Sequence, residues 1–168
     1  MQKKIRQIVF AGVLAALYAA LTIILSFMSF GPIQFRIAEA LTVLPYFSPF
    51  AIAGLSVGCF VSGLIASPYM WADILFGTFA TLLGAVCTYL LSKKQNKVTF
   101  FLAPLPTVLA NTFIIGAVIT LFTPDVSASL PAFFMNSATV GLGEIVCCYG
   151  LGLPLMYFIK KHRGALPF

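Results

Sequence analysis

Between Gln7 and Phe35 the chain runs 29 residues without a charged side chain, and between Ala40 and Ala72 it runs 33. A helix rises about 1.5 Å per residue and the hydrocarbon core of a bilayer is roughly 30 Å thick, so about 20 apolar residues are enough to cross it. The rest of the chain has the same character. Of 168 residues 61% are hydrophobic and 14 side chains, or 8%, are charged, where soluble domains carry about a quarter. Mean hydropathy is +1.05. These values exclude a soluble globular domain, a disordered tail and a disulfide scaffold. An all-α integral membrane protein is expected, a single transmembrane domain over residues 1–168 with no room for an aqueous enzyme domain.

The net charge of +6 is not spread as a nucleic-acid-binding face would require. It falls in three short groups: Lys3, Lys4 and Arg6; Lys93, Lys94 and Lys97; Lys160, Lys161 and Arg163. Basic residues flanking apolar stretches mark the cytoplasmic side. Both termini are therefore expected inside, with an even number of spans. Prolines at 45 and 49 divide the 33-residue run, because proline removes a donor and clashes with the preceding turn. Six helices follow, at about 5–29, 35–47, 51–67, 72–91, 101–122 and 133–159, and they place all three basic groups on one side. The segment Thr123 to Pro131 holds Asp125 and no basic residue, as an outer loop should. A signal peptide is the competing reading of the N-terminal run, but its apolar region would be only about 7–15 residues. No repeat of 20–50 residues is visible, so an inverted-repeat transporter is not supported.

Small residues recur at helical spacing. Ala11, Ala15 and Ala19 fall four apart with Gly12, Ala16 and Ala20 beside them, and Gly54, Gly58 and Ser62 repeat the pattern. Within lipid, small residues let helix backbones approach closely. They serve either packing inside the chain or, on the first helix, a second protein. Cys59, Cys87, Cys147 and Cys148 lie in apolar runs without zinc spacing, and the single histidine, His162, is in the basic tail; no metal or cofactor is expected. Gly58 and Gly63 have the spacing of a phosphate loop, but Leu64 follows where lysine is required. No ATPase and no nucleophile–base pair is expected, so the chain does not read as an enzyme.

Ionisable groups within a membrane are expensive and mark function by default. Setting aside the basic groups and Asp125, four remain: Arg36, Glu39, Asp73 and Glu144. Arg36 and Glu39 are three apart on one helical face, either a local ion pair or ligand contacts. Asp73 either caps its helix or faces the ligand. Glu144 lies about eleven residues into the last helix, roughly 16 Å deep, where a carboxylate must be protonated, paired or facing a polar cavity. A carboxylate accepts adjacent N–H donors, as on a guanine-like edge, and other donor-rich ligands would fit it as well. Asn111 lies at comparable depth, and Asn136 begins the last helix. Trp71, Tyr69 and Phe35 could stack on a ring, although Trp71 and Tyr69 also suit an interfacial belt.

Three stretches resemble the QueT family of queuosine-precursor transporters: Gln34-Phe35-Arg36-Ile37-Ala38-Glu39-Ala40-Leu41-Thr42-Val43-Leu44-Pro45, the run from Asp73 to Leu83, and Gly141-Leu142-Gly143-Glu144 with Gly150-Leu151-Gly152-Leu153-Pro154-Leu155. The resemblance implies a six-helix substrate-binding S component of an energy-coupling factor (ECF) importer in the plasma membrane of a bacterium. It implies a 7-deazaguanine ligand such as preQ1, preQ0 or queuine. The ligand is expected between helices 4, 5 and 6 under the loop joining helices 1 and 2, with Glu144 and Asn111 on its edge and Asp73 or Glu39 near an exocyclic ammonium. The resemblance further implies docking onto a transmembrane coupling subunit through Ala11, Ala15 and Ala19, with two ATPase subunits supplying energy. Two rivals keep the same residues: an S component for another vitamin, and a structural membrane protein whose polar groups pair internally.

Overall fold

The structure, a computed structural model, describes residues 2–29, 34–67, 71–123 and 128–162. Among these residues the secondary structure is helical, with no strand. Helix α1 is Gln2–Ile24, with a further short turn at Ser26–Ser29; α2 is Ile37–Tyr46 and α3 is Phe50–Ala66. Helix α4 is Asp73–Ser92, α5 is Lys97–Phe122 and α6 is Leu130–Lys161. α1, α4, α5 and α6 are long and apolar enough to cross a membrane, whereas α2 and α3 have 10 and 17 residues. At about 1.5 Å per residue α3 covers roughly 25 Å, somewhat less than a full crossing. The six expected spans thus resolve into four full-length helices and two short ones.

The exterior is apolar and the apolar core also encloses many polar side chains, unlike a soluble protein. Ile8, Val13, Phe79, Phe113, Phe134 and Leu142 are exposed, while Thr22, Thr42, Thr81, Thr88, Asn111 and Glu144 are buried. Exposed apolar surface on this scale marks a membrane environment, and the interior polar groups join helices that lack a hydrophobic force between them.

Close approach shows best between α1 and α3. A Cβ on Gly54 would lie 2.6 Å from the Ala11 carbonyl oxygen, and one on Gly58 would lie 2.7 Å from that of Ala15. Ala19 is buried too. The stripe Ala11, Ala15, Ala19, expected to meet a partner protein, therefore packs inside the chain. The neighbouring stripe Gly12, Ala16, Ala20 is the exposed one, and a Cβ on Gly12 would meet no atom within 4 Å.

Among the described residues, regular α-helix gives way in α2, α4, α5 and α6. α2 is a 3-10 helix carrying Pro45, and such runs rarely exceed three or four residues. π-helical turns occupy Asp73–Gly77 at the start of α4 and Val146–Gly152 within α6. α5 begins earlier than its prolines suggested. Asn96 caps it by accepting from the Thr99 N–H at 2.7 Å, and Ala103 and Pro104 form a turn before the main stretch Leu105–Phe122.

Candidate functional site

The three described carboxylates stand at these irregular places. Glu39 is in the 3-10 helix α2, Asp73 opens the first π turn, and Glu144 lies just before the second. Residues three apart eclipse in a 3-10 helix. Arg36, just ahead of α2, is accordingly brought over Glu39, with Nη1 3.9 Å from Oε1. The same Glu39 oxygen accepts the hydroxyl of Tyr18, from α1. One turn further on, Thr42 Oγ1 donates to the Glu39 carbonyl at 2.6 Å.

α5 and α6 complete the group. Asn111 Nδ2 donates to Glu144 Oε1 at 3.0 Å. The Cys148 thiol is 3.4 Å from Glu144 Oε2 and 3.5 Å from the Glu39 carbonyl, so it bridges α2 and α6. Behind Glu39, Thr81 Oγ1 donates to Cys59 Sγ at 3.3 Å. Close backbone contact holds the halves together. A Cβ on Gly152 would lie 2.9 Å from Val43 Cγ1, and one on Gly143 would collide with the Gln34 carbonyl. Residues 34–36 therefore run directly over the turn of α6 that carries Glu144.

The cluster is sealed: Glu39 and Asn111 are 0% exposed, Glu144 2% and Arg36 5%. Arg36 is buried with its guanidinium 3.9 Å from the Glu39 carboxyl. Two acceptors, Glu39 Oε2 and Asn111 Oδ1, have no hydrogen bond of good geometry among the described residues, although the Asn111 and Thr81 side chains stand close to the Glu39 carboxyl. A buried polar atom left unmet costs about 1–3 kcal/mol, so an N–H-rich molecule placed here would relieve a cost already present.

Glu144, Asn111, Glu39 and Arg36 are thus brought together as the sequence suggested. Asp73 is buried at the margin, where its Oδ2 accepts from Ser67 Oγ at 2.5 Å. Phe35 is half-buried in the stretch over α6. Two expectations do not reach the cluster. Trp71 is 55% exposed and packs edge-on against Phe122, centroids 5.1 Å apart, on the outer face. Asn136 donates to Thr120 Oγ1 at 2.9 Å and ties α6 to α5, eight residues, or about 12 Å, from Glu144. Tyr69 and Asp125 lie outside the described residues.

Sequence reasoning missed Tyr18 and Cys148. Cys148 is four residues after Glu144 and so on the same helical face, a signal that was present. Tyr18 had no such signal, because its link to Glu39 spans 21 positions. Among the described residues no group of three or more His, Cys, Asp or Glu could hold a metal ion.

Ionisable groups enclosed by membrane-length helices mark the path or binding place of a solute, and they put this chain in the class of membrane transport proteins. The QueT transporter family model matches residues 8–161, and the chain belongs to that family. It is similar to the queuosine precursor transporter QueT of Lactococcus lactis subsp. cremoris, with 29% identity over 160 residues, covering 88% of this chain and 89% of that protein. None of the solved structures matches the chain.

Proposed function

We propose that this chain is the substrate-capture S component of an ECF-type importer, taking up a queuosine precursor of the 7-deazaguanine class, with separate ATPase subunits supplying the energy. In this reading it is a six-helix bundle in a bacterial plasma membrane, with both termini cytoplasmic. The observation that supports it most is the pair of unmet acceptors, Glu39 Oε2 and Asn111 Oδ1, set beside the carboxylate of Glu144. A 7-deazaguanine offers adjacent ring N–H and amino donors, and acceptors are what such an edge needs. Glu144 would take the ring N–H and amino hydrogens, Asn111 would hold another part of the edge, and Glu39 or Asp73 would face an exocyclic ammonium if the ligand carries one. Phe35 is the remaining candidate for stacking, since Trp71 stands on the outer face.

Because the four central side chains are buried, a ligand reaches them only after a rearrangement. Residues 34 and 35, which lie against Gly143, are in this reading the part of the chain that shifts. Docking onto a coupling subunit would use the exposed α1 face containing Gly12, Ala16 and Ala20 rather than the stripe packed on α3. Direct titration of the purified protein with preQ1, preQ0, queuine and guanine tests the proposal. Saturable binding of at least one deazaguanine, tighter than guanine, is expected. Binding of none of the four would overturn it.

A further inference from the structure

A groove of about 740 Å³ runs between α4 and α5, apart from the polar cluster, and its walls are apolar apart from one charged residue. Leu83, Leu90, Leu102, Leu109 and Phe113 line it, and Lys94 stands at one end. We propose that this groove holds an acyl chain of one anionic phospholipid, whose phosphate lies against Lys94.

Length is the first argument. From Leu83 to Lys94 is eleven residues, about 16 Å of helical rise. That is close to half of the roughly 30 Å hydrocarbon core, so the groove is as long as one leaflet is thick. A lipid lying in it has its tail end near the midplane and its headgroup level with Lys94.

Charge is the second. Lys93 and Lys97 flank Lys94, and all three are exposed. No carboxylate of the chain stands near them among the described residues. Glu39 and Glu144 are enclosed in the bundle, and Asp73 is at the opposite end of α4, nineteen residues from Ser92 or roughly 28 Å away. Lys93 rests over the Tyr89 ring at 5.6 Å, a cation–π contact that leaves its charge uncompensated. This end of the molecule therefore presents exposed positive charge to the membrane surface. In a membrane the anion that meets it is a lipid phosphate, whose attraction for a lysine near the surface corresponds to roughly five-fold per residue.

Native mass spectrometry of the delipidated full chain tests the site, with phosphatidylglycerol and phosphatidylcholine of identical acyl chains in equal amounts. Wild type should retain phosphatidylglycerol roughly five-fold over phosphatidylcholine. Lys94→Gln should bring the two close to parity, and Leu109→Trp, which fills the groove, should lower both. Equal retention by wild type would overturn the proposal and leave the groove to a helix of another protein. A phosphatidylglycerol preference unchanged in Lys94→Gln would overturn it too. Cys87 supplies a second measurement, because it lines the groove and is half-buried while Cys59, Cys147 and Cys148 are buried. Its alkylation should be slower in phosphatidylglycerol nanodiscs than in phosphatidylcholine, a difference that Lys94→Gln removes. Equal rates in wild type would count against the lipid.

Discussion

Among the described residues Glu144 accepts from Asn111 and Cys148, and it has acceptor capacity beyond them. Glu144→Gln preserves volume but turns one acceptor into a donor. Its ligand affinity should fall by about 1–3 kcal/mol, or roughly 5- to 150-fold, in the same titration used for wild type. An unchanged Kd in a well-folded variant removes Glu144 from the ligand. Tyr18→Phe separates structure from recognition. It deletes the donor to Glu39 Oε1, so thermal unfolding without ligand should show a loss of about 1–3 kcal/mol. An unaltered melting temperature would mean that Glu39 finds another donor. At this scale the sequence was informative wherever a residue was anomalous for its surroundings. Arg36, Glu39 and Glu144 stand out in charge-free runs. Tyr18 and Cys148 do not, because tyrosine and cysteine pass as packing residues until their polar atoms have partners.

Long charge-free runs and prolines located the helices to within a few residues, since hydrophobic length is what a bilayer selects. They did not reveal the 3-10 helix α2 or the π turns of α4 and α6. In a chain apolar on nearly every face, hydrophobic spacing scarcely distinguishes a period of 3.0, 3.6 or more. Which hydrogen-bond register forms depends on tertiary neighbours such as Val43 against Gly152. Small-residue stripes were equally legible as stripes, while their direction was not, because two lie side by side on α1. A pair of substitutions separates them. Gly58→Ala forces a Cβ to 2.7 Å from the backbone oxygen of Ala15, an overpacking that should cost about 1–3 kcal/mol. Gly12→Ala has open space and should be neutral or gain up to about 1 kcal/mol from helix propensity. Thermal unfolding in one detergent compares them, and equal losses would contradict the α1–α3 contact.

In the whole molecule α1 has two opposed duties. One face lies on α3 through Ala11 and Ala15 and sends Tyr18 to Glu39 in the polar cluster. The other presents Gly12, Ala16 and Ala20 to the outside. If the coupling subunit of the proposed importer docks on that outer face, then binding a partner and holding a ligand depend on one rigid element, and substitutions can divide them. Ala16→Trp adds bulk at an exposed position of α1. It should leave ligand affinity within about two-fold, a change well under 1 kcal/mol, yet abolish co-purification of the coupling and ATPase subunits. Ala15→Leu acts on the α3 side, against Gly58, so it should lower the melting temperature of the isolated chain before any partner is added. An intact complex with Ala16→Trp would move docking away from α1. Loss of ligand binding in the same variant would instead show that the outer face is felt at Glu39 through Tyr18.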